Sequence, residues 1–330
     1  MAVATLAMVG SFAVGDVNRA SAQETKVFKP GLSGSGAGRD GIVRVVTICQ
    51  EGLEGESLID NTFARLDQAA SFKPDIACLP EDFTRGEPEA VPGPTIERVG
   101  KWAREHSCYV ICPIRVRAGG RVYNSAVLID RQGKVAGRYD KIHPTEEELE
   151  RGICPGETDP PVFETDFGTI GIQICFDVNW RDGWARLKQK GARIIFWPSA
   201  YAAAHQMPAL ASLNQCFVVT STMKSASRIY DITGDLLNAS AKDRPWAGAI
   251  LPLGKRLFET DFNAPKMRQV EKKYGSKVQV TWLRDDSWIT LASLDPNLAV
   301  EDIMKEFDLT PLDNYIIQAQ KAQDKQRPKK

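Results

Sequence analysis

Cys175 closes the apolar run Ile170, Gly171, Ile172, Gln173, Ile174 and is followed by Phe176, Asp177 and a helix-like segment. A thiol at such a strand-to-helix corner meets free backbone N–H groups and the positive end of a helix dipole, which favour thiolate over thiol. Two other reactive side chains, Glu81 and Lys141, end strand-like runs of their own. A free thiol of pKa about 8.5 is only ~3% ionised at neutral pH, so full deprotonation speeds attack by no more than about thirtyfold. The larger gain must come from stabilising the oxyanion formed when sulfur adds to a carbonyl or nitrile carbon, worth about 10² to 10³ per well-aimed donor. Lys141 can supply one donor, and the backbone N–H of Phe176, at the same corner as the sulfur, a second. Glu81 can take the thiol proton, return it to a leaving nitrogen and then activate water against the resulting thioester. The chemistry of such a trio is hydrolysis through a covalent intermediate.

Taken singly, a Cys, Glu or Lys at a strand end is ordinarily core or surface, so the elements around them matter. Ile42 to Cys49 reads as a strand; Ser57 with Asp60 caps a helix that carries Leu58, Ile59, Phe63, Leu66 and Ala70 on one side. Asp75 to Leu79 is the next strand, then a helix near Thr95 to His106, a strand Cys108 to Arg115, and a hairpin of Val122 to Asp130 with Val135 to Tyr139 turned at Gln132 and Gly133. Beyond Cys175, the spacing of Trp180, Trp184 and Leu187 predicts a helix, followed by strands at Arg193 to Trp197, Phe217 to Met223 and Trp288 to Leu294. Alternation of this kind implies a layered α/β domain. The charge-rich stretch Lys266 to Lys277 reads as an exposed, solvated loop.

The composition of the 330 residues is 43% hydrophobic and 25% charged, ordinary for a globular chain. Lys plus Arg and Asp plus Glu each number 42, so no net positive field exists to hold nucleic acid or an anionic membrane, and small-molecule or protein partners are favoured. Residues 1–22 have a small, apolar character with Ala20, Ser21, Ala22 as a cleavage-like site, the pattern of a signal peptide and therefore of export to periplasm or exterior. No Lys or Arg precedes the apolar stretch, which keeps a plain N-terminal extension, and a cytoplasmic location, as the alternative. Residues 23–40 read as a Gly/Ser-rich flexible linker, 41–320 as the folded domain and 321–330 as a basic, frayed tail. No segment approaches the ~20 apolar residues of a membrane-spanning helix. The seven cysteines include no CxxC pair, so neither a zinc ribbon nor a thioredoxin motif is indicated.

The residues flanking the trio resemble the three motifs of the nitrilase (carbon-nitrogen hydrolase) superfamily, in that family's order. The glutamate motif corresponds to Cys78, Leu79, Pro80, Glu81. The lysine motif corresponds to Asn124, Ser125, Ala126, leading through Ile129, Asp130 and Gly133 to Tyr139, Asp140, Lys141, Ile142, His143. The cysteine motif corresponds to Gly171 through Asp177, and Gly191, Ala192 and Trp197, Pro198, Ser199, Ala200 fit the family's pattern downstream of the cysteine. The resemblance covers roughly Ile42 to Gln320. It implies a four-layer α-β-β-α sandwich, pairing through the helix beside the cysteine into a homodimer or larger homo-oligomer, and no metal or organic cofactor. It also implies a triad of Glu81 as general base, Lys141 as oxyanion stabiliser and Cys175 as nucleophile. Many members add a second glutamate ahead of a Pro-Gly; Glu150, before Pro155 and Gly156, is the best match, in a region crowded by Glu146, Glu147 and Glu148.

Nitrile-cleaving members resemble Cys-Trp-Glu at the nucleophile, whereas this chain has Cys175, Phe176, Asp177, similar to amidase and carbamoylase branches. Hydrolysis of an amide or N-carbamoyl group is therefore expected, with a nitrile as the alternative. Branches that bind a substrate carboxylate often place arginine four residues after the cysteine; here that position is Asn179. Trp180, Trp197 and Tyr201 are candidate walls of an apolar pocket. Two other classes stay open: a Cys-His hydrolase using His143 or His205, and a non-catalytic binding protein on the same fold.

Overall fold

The structure is a computed structural model and describes residues 41–55 and 58–328. The leader and linker expected over residues 1–40, and the expected helix cap Ser57, lie outside the described residues.

Apolar runs long enough to be buried on both faces make two six-stranded sheets. In the first, β1 (Ile42–Ile48), β2 (Ile76–Cys78) and β3 (Tyr109–Ala118) run parallel; β4 (Arg121–Ile129) and β5 (Val135–Asp140) continue antiparallel from β3, and β12 (Trp246–Pro252) closes the other edge beside β1. In the second, β7 (Gly168–Ile172), β8 (Ile194–Ser199) and β9 (Phe217–Thr222) are parallel. They are flanked by antiparallel β6 (Val162–Thr165) on one side and β10 (Arg228–Tyr230) with β11 (Leu236–Ala239) on the other. The β4–β5 hairpin turns at Gly133, whose φ of 76° is a conformation glycine adopts without strain.

The two sheets face each other across a core of Val43, Val45 and Ile76 from one side and Ile170, Ile172 and Phe196 from the other. Outside the first sheet lie α1 (Leu58–Ala70) and α2 (Pro94–His106), which bury Phe63, Leu66, Val99 and Trp102. After the short α3 (Glu146–Glu150), α4 (Arg181–Gln189) and α5 (Gln206–Asn214) cover the second sheet with Trp184, Leu187, Met207 and Leu210. The layers are therefore α-β-β-α, as the family resemblance implies. Apart from a few such anchors α4 is polar, so Trp184 and Leu187, both fully buried, hold it down with about 1.5–3 kcal/mol each. Gly171 makes this close approach possible, since a Cβ there would stand 2.8 Å from Leu187 Cδ1.

Three expectations change. The stretch Lys266 to Lys277 is mostly helix: α6 (Thr260–Tyr274) buries Asn263, Met267 and Val270 on one stripe against a third sheet of β13 (Arg256–Glu259), β15 (Trp288–Ser293) and β14 (Val278–Leu283), with α7 (Val300–Glu306) beside it. Its charges lie on the outward side of a helix, which charge counting alone mistakes for a loop. The basic tail is exposed but not frayed at its start, because α8 (Leu312–Gln326) runs through its first six residues. Trp180 is not on the core stripe of α4; it precedes the helix and is 37% exposed.

Candidate active site

Glu81 lies three residues past β2, Lys141 directly follows β5, and Cys175 opens a 3-10 turn, Cys175–Asn179, after β7. Carboxyl ends of strands in the two facing sheets thus deliver Glu81 and Cys175 to one end of the sandwich, where open α/β folds gather ligands. The sheets are bolted together there: Ser221 of β9 donates from Oγ to the carbonyls of Ile48 and Cys78, and Thr47 Oγ1 donates to Thr220 O.

Lys141 is only 1% exposed, and its ammonium sits between two carboxylates, 2.9 Å from Glu81 Oε1 and 2.7 Å from Glu148 Oε2. Burial alone disfavours that charge, but Glu81, Cys175 and Glu148 together hold the ammonium above the usual lysine range. Burial likewise works against the Glu148 carboxylate, yet Lys141, the Thr145 backbone and Asn124 keep its pKa below the ordinary value. Asn124 of β4 donates both amide hydrogens, to Glu81 Oε1 at 2.9 Å and Glu148 Oε1 at 2.8 Å, while its carbonyl receives the Lys141 backbone N–H.

Glu150, expected as the second glutamate, is exposed; Glu148 occupies that place. A capping box explains why. Thr145 Oγ1 receives the Glu148 N–H, and Glu148 Oε2 receives the Thr145 N–H, which turns the carboxylate back toward Lys141. The Thr-x-x-Glu spacing from Thr145 to Glu148 is legible in sequence and singles out Glu148 over its neighbours.

Cys175 is 7% exposed and has a φ of 44°, a left-handed conformation that a non-glycine residue adopts at some strain. Asp177, fully buried, fixes this corner: Oδ2 accepts from the Ile174 N–H and the Tyr139 hydroxyl, and Oδ1 accepts from the His143 N–H while lying 2.9 Å from His143 Nδ1. The cysteine loop is thereby tied to the lysine loop. Burial pushes the Cys175 thiol up to about 12, and Glu81 adds to the rise, while Lys141, the Ser199 side chain and the Ala200 backbone pull it down. Burial and the Glu81 carboxylate thus oppose the thiolate that a helix dipole favours, and the five-residue 3-10 turn is short for such a dipole, so the Lys141 ammonium is the main group on the thiolate's side.

The expected pocket residues divide. Tyr201 is 38% exposed and shares the field of Cys175, Glu81 and Lys141, though burial is the first cause of its raised pKa. Trp180 stacks on His143 with centroids 3.8 Å apart and meets the edge of Phe176. Asn179 is exposed and donates to Phe176 O while receiving Gln206 Nε2. Trp197 is not a wall: it is fully buried on the helix side of the second sheet, and its indole N–H holds the Cys175 carbonyl at 3.0 Å. Among the described residues no hydrogen bond joins His143 or His205 to Cys175; His143 pairs with Asp177, and His205 is exposed at the start of α5.

A family model described as carbon-nitrogen hydrolase matches residues 42–245. The deaminated glutathione amidase of Synechocystis sp. is 27% identical over 175 residues, covering 48% of this chain and 63% of that protein. The beta-ureidopropionase of Arabidopsis thaliana is 31% identical over 118 residues, 34% of this chain and 29% of that protein. The match thus spans less than two thirds of these relatives' own length. A mutant of the amidase from Nesterenkonia sp. AN1, showing covalent addition of the acetamide moiety of fluoroacetamide at its active-site cysteine, shares the fold with a TM-score of 0.56. Its identity is 16%, and the superposition covers 72% of this chain and 97% of that one.

Proposed function

The chain belongs to the carbon-nitrogen hydrolase family, and from that premise we propose that it hydrolyses an amide or N-carbamoyl group through a thioester on Cys175, releasing ammonia or an amine. The observation that carries this reading is the direct Glu81–Lys141 ion pair, acting from both members on the buried Cys175 thiol. Burial and Glu81 act against a pre-formed thiolate, so a base beside the sulfur is needed as it attacks. Its proton passes to Glu81 as the sulfur–carbon bond forms and the carbonyl π pair moves onto oxygen. The Lys141 ammonium and the Phe176 N–H receive the developing oxyanion. As the tetrahedral adduct collapses, the carbon–nitrogen bond breaks and Glu81 returns the proton to the departing nitrogen. Water then adds to the thioester, losing its proton to Glu81, and the carbon–sulfur bond breaks with the proton restored to Cys175. The cysteine adduct of the Nesterenkonia amidase supports such covalent chemistry.

The acyl portion is proposed to be uncharged. Lys141, the cation that acts on both Cys175 and Tyr201, is already matched by Glu81 and Glu148. Asn179 offers no bidentate partner to a carboxylate. Tyr201 and Trp180 supply aromatic edges at the exposed side instead.

The test is incubation with matched neutral and carboxylate-bearing amides, N-carbamoyl amines and nitriles, followed by mass measurement of the trapped acyl-enzyme. An adduct on the Cys175 peptide from a neutral amide or carbamoyl compound, absent in Cys175→Ala, is the expected result. Turnover of nitriles alone would move the assignment to the nitrilase alternative, and full activity in folded Cys175→Ala would remove the covalent reading.

A further inference from the structure

Glu81 Oε1 receives two donors, Lys141 Nζ and Asn124 Nδ2, whereas Oε2 has no hydrogen-bond partner among the described residues. Each donor stabilises the ionised form and draws basicity from the oxygen it binds. The two oxygens of this carboxylate are therefore unequal. We propose that Asn124 is a positioning residue that, with Lys141, saturates Oε1 and so dedicates Oε2 of Glu81 to proton transfer. The proposal rests on the reading of Glu81 as the general base.

Three features of Asn124 carry it. First, the residue is 4% exposed, and one amide nitrogen serves both carboxylates while its backbone carbonyl receives the Lys141 backbone N–H, so one strand position holds two charged side chains and the main chain of the third. Second, Asn124 Oδ1 is buried without a partner. Turning the amide over would aim that oxygen at two carboxylates, so the orientation is set by the site, and the chain tolerates an unpaired acceptor that folding alone would select against. Third, Glu81, Glu148 and Lys141 sum to a net negative charge, an arrangement that drives one carboxylate to take up a proton unless donors hold both ionised. Asn124 provides those donors without adding charge.

The groups that face Glu81 are Lys141 from the end of β5, Glu148 from α3, the Cys175 thiol after β7, the hydroxyl of Tyr201 after β8, and its neighbour Asp82, which is itself paired with Arg115 of β3. Removing the Asn124 donors leaves Lys141 as the one donor to Oε1, with Glu148 and Asp82 facing the carboxylate and one neutral donor fewer to hold its two oxygens apart in role.

The experiment is the pH dependence of Cys175 alkylation by iodoacetamide, followed on the Cys175 peptide by mass, together with the pH dependence of kcat/KM for an amide turned over by the wild type. Both should lose rate on the acid side, because a general base must be ionised to take the thiol proton. In Asn124→Leu the acid limb should move up by about one pH unit, and in the isosteric Asn124→Asp, which adds a third carboxylate, by more than that. The second variant preserves shape, so it gives the reading even if Asn124→Leu does not fold. A wild-type acid limb that stays in place in the folded variants, however low their rates, overturns the positioning role and leaves Glu81 as the base. A wild type with no acid limb and no adduct on Cys175 overturns the reading of Glu81 and this proposal with it.

Discussion

Lys141 carries two loads that its motif alone does not separate. Read from that motif, it is an oxyanion donor. In the structure its ammonium is also the counter-charge shared by Glu81 and Glu148 in a pocket almost closed to water. Breaking a buried ion pair by deleting one partner costs about 3–5 kcal/mol, because the other charge stays buried without compensation. Lys141→Ala is therefore expected to lower thermal stability clearly as well as to cut turnover by about 10² or more. Adding Glu148→Gln to that variant should recover part of the melting temperature and none of the activity. Equal melting temperatures for Lys141→Ala and wild type at neutral pH would show that the pair does not hold the site together. The sign with pH is set by Glu148, whose pKa is lower folded than in its ordinary range. The pair stabilises above the ordinary glutamate value and loses that contribution as the solution is acidified through the folded pKa.

At the scale of elements, the loop after β2 presents Glu81 and then Asp82 in a left-handed turn, Asp82 having a φ of 39°. Burial raises the Asp82 carboxyl to about 6, Arg115 opposing the shift and Glu81 adding to it. A carboxyl whose pKa is higher folded than unfolded binds the extra proton in the native state, so stability falls as pH rises from about 4 to about 6. Asp82→Asn is expected to raise the melting temperature at pH 7.5 relative to wild type and to leave little difference at pH 4. An equal loss at both pH values would mean that the Arg115 contact, 3.2 Å long, outweighs the desolvation. Legibility in the sequence at this scale is set by contrast along the chain. The β4–β5 hairpin and the Cys175 strand stand out because apolar runs end at Gly or charged residues. Trp197 looks like a pocket wall in sequence because β8 is buried on both faces: Phe196 faces the other sheet and Trp197 the helices, and no polar alternation marks which is which. The α6 stripe is hard to see because Met267 and Val270 are its only fully buried apolar side chains in a lysine-rich run. Glu148 is legible through its capping spacing to Thr145, whereas a search for the glutamate nearest Pro-Gly leads past it to Glu150.

Across the whole molecule, formal charge is balanced and the seven cysteines are free thiols, Cys175 among the six buried ones. With no net field to drive it, self-association is expected to lean on exposed apolar side chains. The family resemblance implies pairing through the helix beside the cysteine, and α5, the neighbour of α4 on that face, carries an exposed apolar side chain. On α5, which packs against α4, Met207, Leu210 and Ala211 are buried in the monomer, while Leu213 is left 68% exposed. A two-fold interface would bury two copies of this side chain, each worth about 1.5–3 kcal/mol. The protein is therefore expected to sediment as a homodimer or a larger even assembly at micromolar concentration. Leu213→Glu, which sets like charges against each other across such an axis, should shift it to monomer without lowering the melting temperature of the isolated subunit. Because α4 starts immediately after the turn that carries Cys175, dissociation should also depress kcat more than KM. A wild type that sediments as a monomer, or a Leu213→Glu variant that keeps the wild-type assembly, would place the contact elsewhere on the surface and remove the link between assembly and turnover.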